Sequence, residues 1–91
     1  MERIRPIAVC IIRRGDQILV GQGYDAGKNE TFFRPLGGEI EFGEYSMETV
    51  YREFEEEIGV ELCNLYYLTT VENIFHFNNQ KRHEIVQIYE G

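Results

Sequence analysis

The sequence predicts an α+β domain in which strand-like segments at both ends flank one amphipathic helix. Ile4 to Arg13 and Ile85 to Tyr89 are rich in residues that favour strands. Between them, apolar residues recur at helical spacing from Met47 to Ile58. The chain has 91 residues, of which 43% are apolar. This is enough for one modest core, so we expect a single domain over 1–91.

The first part of the chain predicts a β-hairpin. Ile4 to Arg13 forms the first strand, Arg14-Gly15-Asp16 the turn, and Gln17 to Gly21 the second strand. The polar, glycine-containing stretch from Gly23 to Thr31 is typical of a loop. Phe32 to Arg34 then predicts a short strand, because Pro35 should end regular pairing.

The middle of the chain predicts a structured loop followed by a helix. The loop, Leu36 to Tyr45, contains three glycines and alternating polar and apolar residues. Ser46 suits the helix N-cap, and Gly59 suits the left-handed C-terminal cap. The apolar stripe comprises Met47, Val50, Tyr51, Phe54 and Ile58, which gives about three to four helical turns.

The last part predicts a second hairpin. Residues Leu62 to Phe77 are rich in β-branched and aromatic types, Asn78 to Lys81 suits a turn, and Ile85 to Tyr89 resumes the strand pattern. Cys10 and Cys63 lie in apolar runs without metal-ligand spacing, so we expect two buried, reduced thiols.

The net charge of −7 narrows the classes of partner. Nine of the sixteen acidic residues lie between Glu39 and Glu61. Such a field repels nucleic-acid backbones and anionic membranes, so we expect neither duplex nucleic acid nor a membrane as partner. No apolar run is long enough for a membrane span and no signal peptide is recognisable, which favours the cytoplasm.

Three helix glutamates, Glu53, Glu56 and Glu57, fall together on one flank of the predicted helix. Like charges at this spacing destabilise a helix, and only Arg52 lies nearby within it. Taken alone, the spacing favours a solvated acidic face. A divalent cation such as Mg²⁺ or Mn²⁺ is the other candidate, because hard cations prefer carboxylate oxygens and are often shared with substrate phosphates.

A longer pattern overlaps this helix. From Gly38 the chain has five residues, then Glu44, then seven residues, and then Arg-Glu-Phe-Glu-Glu-Glu-Ile-Gly-Val from Arg52 to Val60. This stretch resembles the Nudix box of the MutT-like Nudix hydrolases, with all seven fixed residues and both apolar positions matched. Seven fixed residues at about 7% usage each would agree by chance about once in 10⁸ starting positions.

The resemblance implies a fold and a reaction. The implied fold is an α/β/α sandwich around a mixed sheet. The implied reaction is metal-dependent cleavage of a phosphoanhydride bond in a nucleoside diphosphate linked to another group. The catalytic residues would be Arg52, Glu53, Glu56 and Glu57, and the oxygen ligands of Mg²⁺ or Mn²⁺ would come from Gly37, Glu44, Glu53, Glu56 and Glu57. Glu44 would act as a ligand or through water, and Arg52 would orient a box glutamate.

The chain also departs from the family pattern. It has Pro35-Leu36-Gly37-Gly38 where the family commonly has Pro-Gly-Gly. We expect the last strand and C-terminal helix of the family to be missing, so one face of the sheet should lack its cover. An uncovered apolar face favours a homodimer or aggregation, and the alternative is that the chain is a fragment of a longer product.

Residues beyond the box bear on the substrate. The proline that marks the ADP-ribose group is replaced by Phe75 and His76, and Phe77 lies near the tyrosine of the diadenosine polyphosphate group. Phe75 and Phe77 could stack on a base, although alternating aromatics more often pack in a core. Arg34 is a weak candidate for binding phosphate, and His76 and His83 suit a surface role better than catalysis.

Two functions are therefore carried forward: a hydrolase acting on a small nucleotide derivative, and an inactive or truncated domain that only binds nucleotides.

Overall fold

The computed structural model describes residues 2–91, which form seven strands and one helix. The strands are β1 (Ile4–Ile11), β2 (Arg13–Arg14), β3 (Gln17–Ile18), β4 (Val20–Asp25), β5 (Glu30–Glu39), β6 (Tyr66–Phe77) and β7 (Gln80–Glu90), and the helix is α1 (Ser46–Ile58).

Five strands form one mixed sheet in the order β4-β5-β1-β7-β6. β1 is central: it runs antiparallel to β5 and parallel to β7. Its residues Ile7 to Cys10 are buried without the alternation of a half-exposed strand. A continuous apolar run of this kind is typical of a strand that is covered on both faces.

The predicted α+β class and mixed sheet are confirmed. In the part of the chain that the structure describes, one helix packs against β5 and β1, which supplies one helical layer of the implied sandwich. The core under α1 contains Ala8, Cys10, Val50, Phe54 and Tyr89. A smaller cluster of Ile7, Val9 and Val86 is separate from it.

The opening hairpin is confirmed around its predicted turn, where β2 and β3 pair, but the extent of its strands was predicted incorrectly. β1 and β4 do not pair; a short β2–β3 ladder with a turn at Gly15 and Asp16 lies between them. β1 instead pairs with β5 and β7. The error arises because the sequence shows which segments are strands but leaves open which non-local partner each one takes.

The predicted Gly23–Thr31 loop is too long and the short strand after it is too short. β4 continues to Asp25 and β5 begins at Glu30, so only four residues form the turn. Pro35 does not end the pairing either. It is the last β5 position paired with β4, and Leu36 is the first paired with β1. A residue without an N–H is tolerated at the point where the strand exchanges partners.

The helix ends where predicted but begins one position earlier than expected. Tyr45, not Ser46, is the N-cap, and its N–H donates to the Glu48 carboxylate at 2.7 Å. The Ser46 hydroxyl instead lies 2.5 Å from the hydroxyl of Tyr89. Gly59 adopts the predicted left-handed conformation, and its N–H donates to the Glu55 carbonyl at 3.0 Å.

The buried side of α1 is narrower than the predicted apolar stripe. Val50 and Phe54 are fully buried, as is the polar Thr49, whereas Met47 and Ile58 are exposed. The two ends of the predicted apolar stripe therefore lie in solvent.

The second hairpin is confirmed, with a tighter turn than expected. Asn78 and Asn79 alone connect β6 to β7, and both have positive φ, at 51° and 64°. Asparagine tolerates this conformation, which two-residue hairpin turns require.

Of the two thiols, Cys10 is buried as predicted, but Cys63 is exposed because it lies between Leu62 and Leu65, which pack against the core. No helix in residues 2–91 has the length and apolar character needed to cross a membrane.

Candidate active site

The structure brings the two halves of the box together by packing α1 against the end of β5. Gly38 faces Glu53 so closely that a Cβ added at position 38 would lie 2.5 Å from the Glu53 carboxylate oxygen Oε1. Gly37 faces the neighbouring strand, where a Cβ would lie 2.6 Å from the Val9 Cα. Both glycines therefore permit close approach of backbone, to β1 on one side and to the helix on the other.

Arg52 lies at the centre of the cluster. Its Nε and Nη2 donate to both oxygens of Glu44, at 2.8 and 3.0 Å, as a bidentate pair. Nη1 donates to Glu53 at 2.8 Å and to Glu56 at 3.4 Å, while Nη2 also donates to the Glu39 carbonyl at 3.1 Å. Planar, multidentate pairing of this kind fixes the orientation of the carboxylates.

Glu44 is the most firmly held carboxylate of the cluster. Besides Arg52, the Thr49 hydroxyl donates to it at 2.6 Å and the Glu41 N–H at 3.1 Å. The hydrogen bonds from Arg52 and then Thr49 lower the pKa of Glu44 to about 2, and the same pairing raises the pKa of Arg52. With both oxygens engaged, Glu44 is better placed to support Arg52 than to contact a metal ion directly.

Glu53 and Glu57 form a pair of neighbouring carboxylates. The pKa of Glu57 is raised, first by burial and then by the charge and hydrogen bonding of Glu53, while Arg34 acts in the opposite direction. Two carboxyl groups at such close range favour sharing a proton or a cation.

This donor set fits a hard divalent cation. Within residues 2–91, no three Asp, Glu, His or Cys side chains already surround one point as metal ligands. Mg²⁺ needs no such cage, because it commonly binds through one or two carboxylates and completes its shell with water and substrate phosphates. Glu53 and Glu57 could supply those carboxylates, and Glu56 extends from the same helix with its side chain largely exposed.

All three residues predicted to bind substrate line one cleft of about 1040 Å³. Arg34, Phe75 and Phe77 line it, together with Phe32, whose ring meets Phe77 edge to face at 5.8 Å. Arg34 thus lines the cleft and also lies close enough to Glu57 to influence its pKa. β5 therefore connects the cleft to the carboxylate cluster.

The walls of the cleft contain both paired and unpaired cations. Glu39 contacts Arg3 at 2.5 Å and Arg5 at 3.7 Å, and Arg5 also pairs with Glu84 at 3.0 Å. Arg82 differs: its guanidinium carbon lies 5.7 Å from the centre of the Phe77 ring, and its buried Nε lacks a hydrogen-bond partner among the described residues. Such an arginine can bind an anionic or carbonyl group of a ligand.

Several of these residues were not predicted from the sequence. The Glu39 carbonyl, Arg5, Glu84 and Phe32 reach the site through strand pairing, and no local pattern marks them. His76 is exposed and lies outside the cleft and the carboxylate cluster, in line with the expected surface role.

A mixed sheet, two glycines at the end of β5 and a helix whose Glu53 and Glu56 contact one arginine are typical of a Nudix-type domain. The sequence model of the NUDIX domain family matches residues 3–91. The chain therefore belongs to the NUDIX domain family.

Two relatives with the same name are informative. The chain is 35% identical over 68 residues to the NAD-capped RNA hydrolase NudC of Pseudomonas aeruginosa, covering 72% of this chain and 23% of the relative. It is 37% identical over 70 residues to the NudC of Yersinia pestis, covering 75% and 25%. The chain thus spans about a quarter of the length of these curated relatives.

Among solved structures, the MutT NUDIX hydrolase of Burkholderia pseudomallei is similar with a TM-score of 0.77 and 25% identity, covering 99% of this chain and 67% of that one. A MutT protein from Bacillus halodurans shares the fold with a TM-score of 0.73 at 22% identity, covering 97% and 56%.

Proposed function

We propose that the chain hydrolyses a phosphoanhydride bond in a nucleoside diphosphate linked to another group, with Mg²⁺ or Mn²⁺ as cofactor. The observation that carries this proposal is the position of the carboxylate cluster, which lies beside a cleft lined by Arg34, Phe75 and Phe77. A carboxylate cluster that can hold a cation for the phosphates, and an aromatic cleft large enough for a nucleoside, are the two parts that such a substrate requires.

The box residues would have different roles. Glu53, Glu56 and Glu57, with the carbonyl of Gly37, would hold the cation, while Glu44 would contribute through water or through Arg52. The cation would supply charge neutralisation at the phosphoryl oxygens and a more acidic bound water. Glu56 and Glu57 are both candidates for accepting the proton of that water. Arg52 would act by holding Glu44, Glu53 and Glu56 in position.

The cleft would bind the nucleoside side of the substrate. Phe75 and Phe77 would stack on the base, and Arg34 would contact phosphate oxygens between the cleft and Glu57. Arg82 offers a further donor at the other side of Phe77. Because the chain is strongly acidic, the proposed partner is a small nucleotide rather than duplex nucleic acid.

The similarity to NAD-capped RNA hydrolases directs the choice of substrates. We would incubate the purified chain, with Mg²⁺ or Mn²⁺, with NAD⁺, NAD-capped RNA, ADP-ribose, nucleotide sugars, nucleoside triphosphates and dinucleoside polyphosphates. The expected result is metal-dependent release of a mononucleotide from at least one of them.

Two glutamine variants on the same helix make the test specific. Glu57→Gln should abolish turnover, while Glu55→Gln should leave it unchanged because Glu55 is exposed and outside the cluster. A folded chain that binds these nucleotides and raises its melting temperature, but cleaves none of them, would indicate the binding-only function instead.

A further inference from the structure

Asp25 is a buried carboxylate at the tip of the β4–β5 hairpin that no part of the proposed chemistry uses. Only 4% of its surface is exposed. Its oxygen Oδ1 accepts the N–H of Gly27 at 2.9 Å and of Lys28 at 3.3 Å, both within its own turn. The same oxygen accepts the N–H of Asn78, 53 residues away, at 2.9 Å.

The link between the two hairpins is reciprocal. The Ala26 N–H donates to the side-chain oxygen of Asn78 at 2.6 Å. A Cβ at Gly27 would lie 2.7 Å from the Asn79 nitrogen, so the two turns are in direct contact. We call this set of contacts between the turns at Asp25–Gly27 and Asn78–Asn79 the hairpin clamp.

The clamp joins segments that the sheet order keeps apart. β4 and β6 are the two outer strands of the order β4-β5-β1-β7-β6. The sheet must therefore curve strongly for the tips of the two hairpins to meet. The Phe32 and Phe77 rings, one from each hairpin, touch immediately beside the clamp and line the cleft.

We infer that Asp25 and Asn78 are positioning residues that hold the two hairpins together and thereby set the width of the substrate cleft. This inference rests on the proposed function. A simple capping role for Asp25 explains the bonds to Gly27 and Lys28. It does not explain the bond to Asn78 or the return bond from Ala26, and both of these cross between the hairpins.

Three variants separate these roles. Asp25→Ala removes the acceptor, whereas Asp25→Asn keeps an oxygen that can accept the same N–H groups. Asn78→Gly removes the return acceptor while keeping the positive φ that the turn needs. Asp16→Ala is the matched control, because Asp16 lies exposed in the β2–β3 turn, which does not line the cleft.

The first readout is kinetic, with the best substrate of the panel above. Asp25→Ala and Asn78→Gly should raise KM about tenfold, the effect of one or two lost hydrogen bonds, with kcat changed by less than about twofold. Asp25→Asn should lie between these variants and the parent, and Asp16→Ala should match the parent. An unchanged KM in Asp25→Ala, or an equal loss in Asp16→Ala, would refute the inference.

The second readout does not need activity. Amide hydrogen exchange should become faster in both hairpin tips, 26–33 and 76–82, when Asp25 is replaced by Ala, but not when Asp16 is. Faster exchange in 26–33 alone would show that Asp25 caps its own turn and clamps nothing. If the parent cleaves none of the substrates, the proposed function fails, while this measurement still decides whether the clamp exists.

Discussion

Replacing Arg52 with lysine tests whether the geometry of the guanidinium, rather than its charge, organises the carboxylates. A lysine ammonium keeps the charge but cannot bind both oxygens of Glu44 while reaching Glu53 and the Glu39 carbonyl. A hydrogen bond to a charged group contributes about 1.5–3 kcal/mol when it is buried. The Arg52 side chain is 23% exposed and that of Glu44 15%. After allowance for solvent screening and for the bond that lysine retains, we expect a loss of about 2 kcal/mol in unfolding free energy.

The effect on function should be similar in size to the effect on stability, because a 10–100-fold change corresponds to about 1.4–2.7 kcal/mol. Residues that orient metal ligands typically alter metal affinity or activity by about 10–100-fold, so Arg52→Lys should need correspondingly more Mg²⁺ for half-maximal turnover. Urea unfolding gives the stability, and turnover against Mg²⁺ concentration gives the affinity. Arg14→Lys, on the exposed β2 strand, is the control. If Arg52→Lys keeps the parent's Mg²⁺ dependence and stability, the bidentate contacts do not organise the site.

Three further predictions each concern the surroundings of one residue: Gly38, Cys10 and Asp25. Gly38→Ala should lower turnover and raise the Mg²⁺ concentration needed for half-maximal turnover, because the added Cβ would displace Glu53. An Mg²⁺ titration identical to that of the unsubstituted chain would contradict this. Ellman's reagent should label only Cys63 in the folded chain, since burial raises the pKa of Cys10 to about 11; two fast equivalents would contradict this. Burial alone would raise the pKa of Asp25, but its backbone hydrogen bonds outweigh that effect and lower the pKa below 3.8. The ionised Asp25 carboxylate therefore stabilises the fold fully above about pH 4, the pKa range of an aspartate in the unfolded chain, and progressively less as the pH falls through its lower folded-state pKa. Acid-unfolding curves should show Asp25→Asn losing this part of the pH dependence.

The sequence predicted the helix and the carboxylate cluster because both depend on local spacing. Glu56 lies four residues after Arg52 and Glu57 lies four residues after Glu53, so helix geometry places these side chains on one flank. Gly59 ends the helix for an equally local reason, since its positive φ is available without strain. The failures near the helix were small, such as the shift of the N-cap from Ser46 to Tyr45.

The cleft and the clamp could not be predicted in the same way. Phe32 meets Phe77, and Asp25 meets Asn78, only because β5 pairs with β1 after leaving β4 and the sheet then curves. Nothing in the spacing of residues 23–35 distinguishes the paired strands β4 and β5 from a loop. Pro35 also predicts the end of a strand, because it lacks the N–H that strand pairing uses. Long-range pairing depends on the whole set of strands, so it leaves only a weak local signal in each of them.

The charge of the site connects its architecture to its proposed cofactor. Four carboxylates, those of Glu41, Glu44, Glu53 and Glu56, lie within 3.4 Å of the Arg52 guanidinium. Glu57 lies beside Glu53, and Arg34 is the cation that acts to lower its pKa. Arg52 binds both oxygens of Glu44 but contacts Glu53 through Nη1 alone, which leaves the charge of the Glu53–Glu57 pair only partly compensated. This incomplete compensation adds to burial, which is the larger effect, in raising the pKa of Glu57. A divalent cation would complete the compensation and at the same time allow an acidic protein to bind a substrate that carries two phosphates. Under this proposal Arg52 holds Glu44, the cation would bind Glu57, and Glu53 and Glu56 would serve both the arginine and the cation.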